Sequence, residues 1–147
     1  MLKFIRIVFF ASTFFIFFNK VYANDFLCTK YSNVNLRNGP GTKFTMVAKL
    51  LKKGYPLKII DKIEEWYAVE DFKGDKMWVS SSNLTSKCGA IIKVNADFKI
   101  KPEEGAISIF TLEEGFVVNK IKCYKSWCEA TIENKTGWIL KSSTWGI

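Results

Sequence analysis

Beyond residue 23, apolar and β-branched residues fall in short runs broken by glycine, proline and asparagine, and no stretch keeps the period of an amphipathic helix. The pattern predicts strands at 46–51, 57–60, 66–70 and 77–80, and again at 107–112, 116–121, 128–132 and 138–140. Asn38-Gly39-Pro40-Gly41, Lys53-Gly54, Lys73-Gly74-Asp75 and Glu114-Gly115 supply the turns, with glycine reaching positive φ at no steric cost. Residues 80–83 and 141–144 read as single tight turns before a last short strand. The predicted class is all-β.

The strand pattern occurs twice. Gly54 precedes Trp66 by the same spacing as Gly115 precedes Trp127, and Trp78 and Trp138 follow at nearly equal distances. Pro40 and Pro102 stand ahead of the two glycines in the same order. A weak internal repeat of this kind predicts two small units in tandem.

The amino terminus stands apart from both. Lys3 and Arg6 precede an apolar run from Ile7 to Phe18, and Val21-Tyr22-Ala23 offers a cleavage site. This is the layout of a cleavable secretory signal over residues 1–23, cut after Ala23. The run is too short to cross a bilayer core, which needs about 20 residues. No later segment is long enough either, so the mature protein is expected to have no membrane span. The chain carries a formal charge of +8, and loss of Lys3, Arg6 and Lys20 with the signal leaves a smaller positive excess. Charges are interspersed, without a basic stripe interleaved with aromatics, which argues against a nucleic-acid partner.

Cys28, Cys88, Cys123 and Cys128 all lie in the exported part. An even count in a small secreted chain reads as a disulfide framework, with three pairings open. A zinc site is disfavoured, because there is no Cys-x-x-Cys knuckle and no histidine in the chain. The same lack of histidine removes Ser-His-Asp and Cys-His nucleophile arrangements. Carboxylates such as Glu64, Glu65, Glu103, Glu104, Glu113 and Glu114 sit in adjacent pairs beside turns, where solvation explains them. No catalytic residue, metal or cofactor is expected.

Residues 34–84 carry NLRNGPG, KKGYP, EEWYAV and MWVSSSNL in order. These resemble the NVRSGPG opening, KKG turn, GWYKV strand and GWVSSSYL close of bacterial SH3 domains. The second copy is similar to the divergent partner domain of exported tandem SH3 proteins of alphaproteobacteria. Cys123, Trp127-Cys128, Gly137-Trp138 and Trp145-Gly146 echo its pattern. It departs at Lys99-Ile100-Lys101-Pro102-Glu103, which replaces the Arg-x-Gly-Pro-Gly turn, and whether both copies bind is left open. The resemblance implies two tandem SH3-like small β-barrels after the signal peptide. The first domain would span 24–85 and the second 94–147, with a short linker at 86–93. That linker lacks a flexible spacer, so the units are expected to touch, and Trp145 is a candidate to pack between them.

The first and last strands of an SH3-type barrel run close together, so Cys28 and Cys88 are expected to clasp the first copy. Cys123 and Cys128 flank a predicted hairpin turn and are expected to pair across it. Trp78 and Trp138 read as core residues and Trp66 as half exposed. Arg37, Asn38, Tyr55 and Tyr67 are the candidates to complete a ligand groove with Trp66. The family likeness implies a non-enzymatic periplasmic protein that binds a cell-envelope ligand, either a peptide or the glycan of peptidoglycan. The alternative is a periplasmic scaffold holding an extended peptide or an envelope protein. Oligomeric state is left open.

Overall fold

A computed structural model describes residues 26–147; the expected signal and its cut after Ala23 lie outside them. The first unit contains β1 (Phe26–Thr29), β2 (Val34–Arg37), β3 (Met46–Leu50), β4 (Pro56–Ile63), β5 (Trp66–Glu70) and β6 (Lys76–Ser80). One turn of 3-10 helix, Ser81–Asn83, leads to β7 (Leu84–Thr85). The second contains β8 (Ala90–Ile92), β9 (Ala96–Lys99), β10 (Ser108–Leu112), β11 (Val117–Val118), β12 (Ile121–Tyr124), β13 (Trp127–Ile132) and β14 (Lys135–Leu140). A matching 3-10 turn, Lys141–Ser143, precedes β15 (Thr144–Trp145). The all-β class and the doubled pattern therefore hold, while β8 falls inside the stretch expected as a linker.

Strand alternation places the cores. Val34, Leu36, Leu57, Ile59, Val69, Met77, Val79 and Leu84 form one buried cluster, drawn from five strands of a single sheet. That sheet has seven strands in the order β3-β2-β6-β5-β4-β1-β7, and it must curl strongly for those side chains to meet. β4 makes the bend by changing partners, pairing with β1 near Pro56 and with β5 from Lys58 onward. The second core gathers Ile92, Ala96, Phe98, Leu112, Val118, Ala130, Ile132 and Ile139. It lies between a five-stranded sheet, β10-β9-β14-β13-β12, and a three-stranded sheet, β11-β8-β15. The hydrogen-bonded ladders do not close in either unit. The expected barrels are thus open sheets wrapped on a core, because β3 and β7, or β10 and β12, are outer strands paired on one side only.

Three further expectations are corrected. The run expected at 116–121 is two strands, with Asn119 and Lys120 between them. Trp78 and Trp138 are only half-buried: Met77 and Val79, or Gly137 and Ile139, take the inward positions and turn each indole outward. Positive φ is found at Gly54, Gly74 and Gly115 but not at Gly39 or Gly41. Those two are needed for closeness instead, since a Cβ on Gly39 would run into the Phe44 ring and one on Gly41 would crowd it.

Both expected disulfides are present. Cys28–Cys88 joins β1 to the segment after β7 with Cα atoms 5.2 Å apart, and Cys123–Cys128 links directly opposed residues of the β12–β13 hairpin. Beside the first bond, the two units meet along a seam of buried glycines. Gly89 N–H donates to the Gly54 carbonyl at 3.1 Å, and Gly146 lies against Pro56. Trp145 meets Phe26 edge-on with ring centroids 4.7 Å apart, so it does pack between the copies. Thr29, fully buried, donates to the Lys52 carbonyl at 2.7 Å and accepts from Tyr55 N–H at 3.0 Å, which fixes the turn that carries Gly54.

Two stability predictions follow from these contacts. The closed loops span 60 and 5 residues, so losing Cys28–Cys88 is expected to cost about 4 kcal/mol and losing Cys123–Cys128 about 2 kcal/mol. Urea denaturation of the two double-alanine variants checks that order, and a reversed order would contradict it. A Cβ at Gly89 would sit 2.6 Å from the Val118 carbonyl and 3.0 Å from the Gly54 carbonyl, both backbone atoms. Gly89→Ala is therefore expected to destabilise by about 1–3 kcal/mol and to speed hydrogen exchange at the seam. Unchanged exchange there would count against the seam.

Candidate functional site

In β5 and β6 the ladder pairs Tyr67 with Val79 and Val69 with Met77 on the inside. The residues between them face out. Arg37 lies opposite Trp78, and Trp78 opposite Ala68, so one row crosses β2, β6 and β5. Trp66 lies opposite Ser80 on the same face, about two strand spacings, or roughly 10 Å, from Arg37. Both indoles are half-buried.

Arg37 has a structural duty as well. Its Nη1 donates to the Phe44 carbonyl at 2.7 Å and braces the loop between β2 and β3. A guanidinium has five donors, so further N–H groups are left for an anion. Asn38 opens this loop, with its N–H donating to the Thr45 carbonyl and its side chain exposed. Asn35 shares the outward face of β2, and its Oδ1 is buried without a hydrogen-bond partner.

The five predicted ligand residues therefore divide. Arg37, Asn38 and Trp66 belong to one face and its flanking loop. Tyr67 points the other way and packs against the first core. Tyr55 lies beyond the far end of the β4–β5 hairpin, on the order of 20 Å along the strand from the Ile63–Trp66 end. It packs on the core and faces Phe72 at 6.4 Å. Trp78 lies at the centre of this row, and the alternation in Lys76-Met77-Trp78-Val79-Ser80 is the signal in the sequence for its outward position.

The second unit repeats the row with different chemistry. Trp138 lies opposite Lys99 and Glu129, and Trp127 opposite Leu140. Lys99 is consumed internally: Nζ donates to the Glu104 and Ala106 carbonyls at 2.7 and 3.2 Å and lies 3.7 Å from Asp97. Tyr124 leans on Trp138 with centroids 6.1 Å apart. Asp97, Glu104, Trp127 and Ser143 line a shallow cavity of about 280 Å³ here. The row thus carries Arg37 and two indoles in the first unit, and in the second two indoles beside Glu129 and the Lys99–Asp97 pair.

All four cysteine sulfurs are taken up in disulfides. Among the described residues, no group of three or more histidine, cysteine, aspartate or glutamate side chains could hold a metal ion. No helix among them is long and apolar enough to cross a membrane.

The chain belongs to the bacterial SH3 domain family. Two of the family's models, each described as a bacterial SH3 domain, match it in tandem, one over residues 32–85 and the other over residues 100–146. No curated protein matches it significantly. Among solved structures it is similar to NlpC2 from Trichomonas vaginalis at 13% identity, covering 85% of this chain and 49% of that one, with a TM-score of 0.36. An NlpC/P60 family protein from Bacillus cereus ATCC 10987 gives 12% identity, 82% and 55% coverage and a TM-score of 0.36. NlpC1 from Trichomonas vaginalis gives 11%, 85%, 46% and 0.35 in the same terms. The chain spans about half the length of these proteins, and likenesses this distant bear on neither its fold nor its activity.

One titration follows from the placement of Tyr55. Burial pushes its phenol well above the ordinary range, and the Asp71 and Asp75 carboxylates add to the effect. A phenol that ionises later in the folded protein than in the unfolded one leaves stability intact below about pH 10 and removes it as pH rises further. Tyr55→Phe is therefore expected to flatten the loss of stability above about pH 10, measured by denaturant titration at several alkaline pH values. An identical slope in the variant would contradict the assignment.

Proposed function

We propose that the protein is an exported, non-enzymatic binding protein whose first SH3 unit recognises peptidoglycan, through its peptide or its glycan. The observation that carries this reading is the outward row of Arg37, Trp78 and Trp66. Indole faces stack on sugar rings or flat peptide groups, and the guanidinium meets a carboxylate by charge-assisted hydrogen bonds. Asn38 adds an exposed amide at the edge of the face. Tyr55 and Tyr67 support the fold beneath it rather than the ligand. Two disulfides favour an oxidising compartment, and together with the signal-like residues 1–23 they support export to the periplasm. A non-catalytic role is supported by the class of module and by the lack of any histidine to activate a nucleophile.

Co-sedimentation of the mature, oxidised protein with purified sacculi tests this reading. Salt-resistant binding is expected, weakened about tenfold or more in Trp66→Ala, as for an aromatic anchor of an interface. Folded protein that stays in the supernatant at low salt would overturn it.

A further inference from the structure

The two units carry the same brace on different side chains. β2 and β9 hold equal places, since Arg37 lies opposite Trp78 and Lys99 opposite Trp138. Each of these cations reaches forward to a carbonyl of the following loop, Arg37 to Phe44 and Lys99 to Ala106. A guanidinium that gives one donor to this task keeps others, whereas an ammonium has three in all. Lys99 gives two to the Glu104 and Ala106 carbonyls, and Asp97 Oδ2 stands 3.7 Å from the same nitrogen. Asp97 itself stands where β2 has Asn35. The second unit has thus lost the spare cationic donors of the first and gained a carboxylate.

These exchanges surround the cavity of about 280 Å³. Part of its wall is apolar: Trp127 and Leu140 are paired across β13 and β14, where the first unit pairs Trp66 with Ser80. The rest of the lining includes Asp97, Glu104 and Ser143. Asp97 Oδ1 accepts from the Ser108 and Thr111 hydroxyls at 3.2 and 3.5 Å, which leaves Oδ2 with Lys99 alone. Glu104 is exposed on the loop between β9 and β10. The cavity therefore offers two carboxylates, while its one lysine is occupied. Its volume falls below the roughly 300–1,000 Å³ of sites for drug-sized ligands and suits a single side chain.

We propose that this cavity binds the alkylammonium end of a lysine-like side chain on a peptide. The aliphatic stem lies along Trp127 and Leu140, as long cationic side chains do on apolar surface. The ammonium donates to Asp97 Oδ2 and the Glu104 carboxylate and is drawn to the indole ring of Trp127. Its charge is opposite to that of the carboxylate expected at Arg37, so the two units take different groups. The site does not rest on wall binding by the first unit.

Nitrogen-15 NMR of the mature, oxidised protein titrated with Nα-acetyl-lysine amide tests this. The Trp127 indole resonance is expected to move and saturate. Nα-acetyl-norleucine amide, with the same stem and no charge, is expected to bind about tenfold more weakly. Glu104→Gln is expected to weaken the lysine probe about two- to fivefold. Asp97→Asn combined with Lys99→Arg restores the β2 pattern and is expected to shift the Trp127 response to Nα-acetyl-glycine, a carboxylate. If amide dispersion shows that this double variant is unfolded, Glu104→Gln decides the matter. Trp66→Ala is expected to leave the lysine titration unchanged, which separates failure here from failure at the sacculus. The proposal is overturned by no Trp127 response, an equal response to the norleucine probe, or unchanged affinity in Glu104→Gln. A folded double variant that keeps the lysine preference, or loss of binding in Trp66→Ala, would overturn it as well.

Discussion

Successive side chains of a strand point to opposite faces, and in a sheet wrapped around a small core only one of those faces has room inside. Val69, Met77 and Val79 occupy the inside of the first unit, so Ala68, Trp78 and Trp66 are committed to the outside. The large indoles are not misplaced core residues. They are the consequence of filling a small interior with aliphatic side chains, and they give the outward face of the sheet two large aromatic groups. Arg37 joins them because Leu36, its neighbour in β2, points inward. The same parity holds in the second unit, where Gly137 and Ile139 turn Trp138 out.

Units this small bury a modest share of their surface, and each lacks the core to be comfortably stable alone. The seam meets that need with close backbone approach rather than with a large apolar patch. Gly54, Gly89 and Gly146 let the chains come near enough for a main-chain hydrogen bond and for Pro56 to nest, and Cys28–Cys88 holds β1 beside them. Docking at this edge, beside the start of β4, lies at the opposite end of the β4–β5 hairpin from Trp66.

Much of this was legible in the residues alone. The all-β class, the repeat, the glycine turns at Gly54, Gly74 and Gly115 and the Cys123–Cys128 bond all rest on local signals. Cys28–Cys88 was legible through family likeness. What escaped reading depends on parity and on distant contacts. Trp78 sits in a run so apolar that it reads as core until Met77 and Val79 are seen to claim the inside. Tyr55, Tyr67 and Trp66 are near one another in sequence but are separated by the length of a hairpin and by the thickness of a sheet. Asn119 and Lys120 look like part of a strand, and only the choice of β11 to pair with β8 opens the break there. Gly89 and Gly146 carry no local signal, because what they accommodate comes from the other unit.

The central claim is that the outward tryptophans of the first unit meet the wall while Trp145 serves the seam. The five indole N–H groups can be followed separately by nitrogen-15 NMR as muramidase-solubilised peptidoglycan fragments are added to the mature protein. The account predicts that the Trp66 and Trp78 resonances move with saturation and that Trp145 stays in place. Movement of Trp145, or of the second unit's indoles alone, would contradict it.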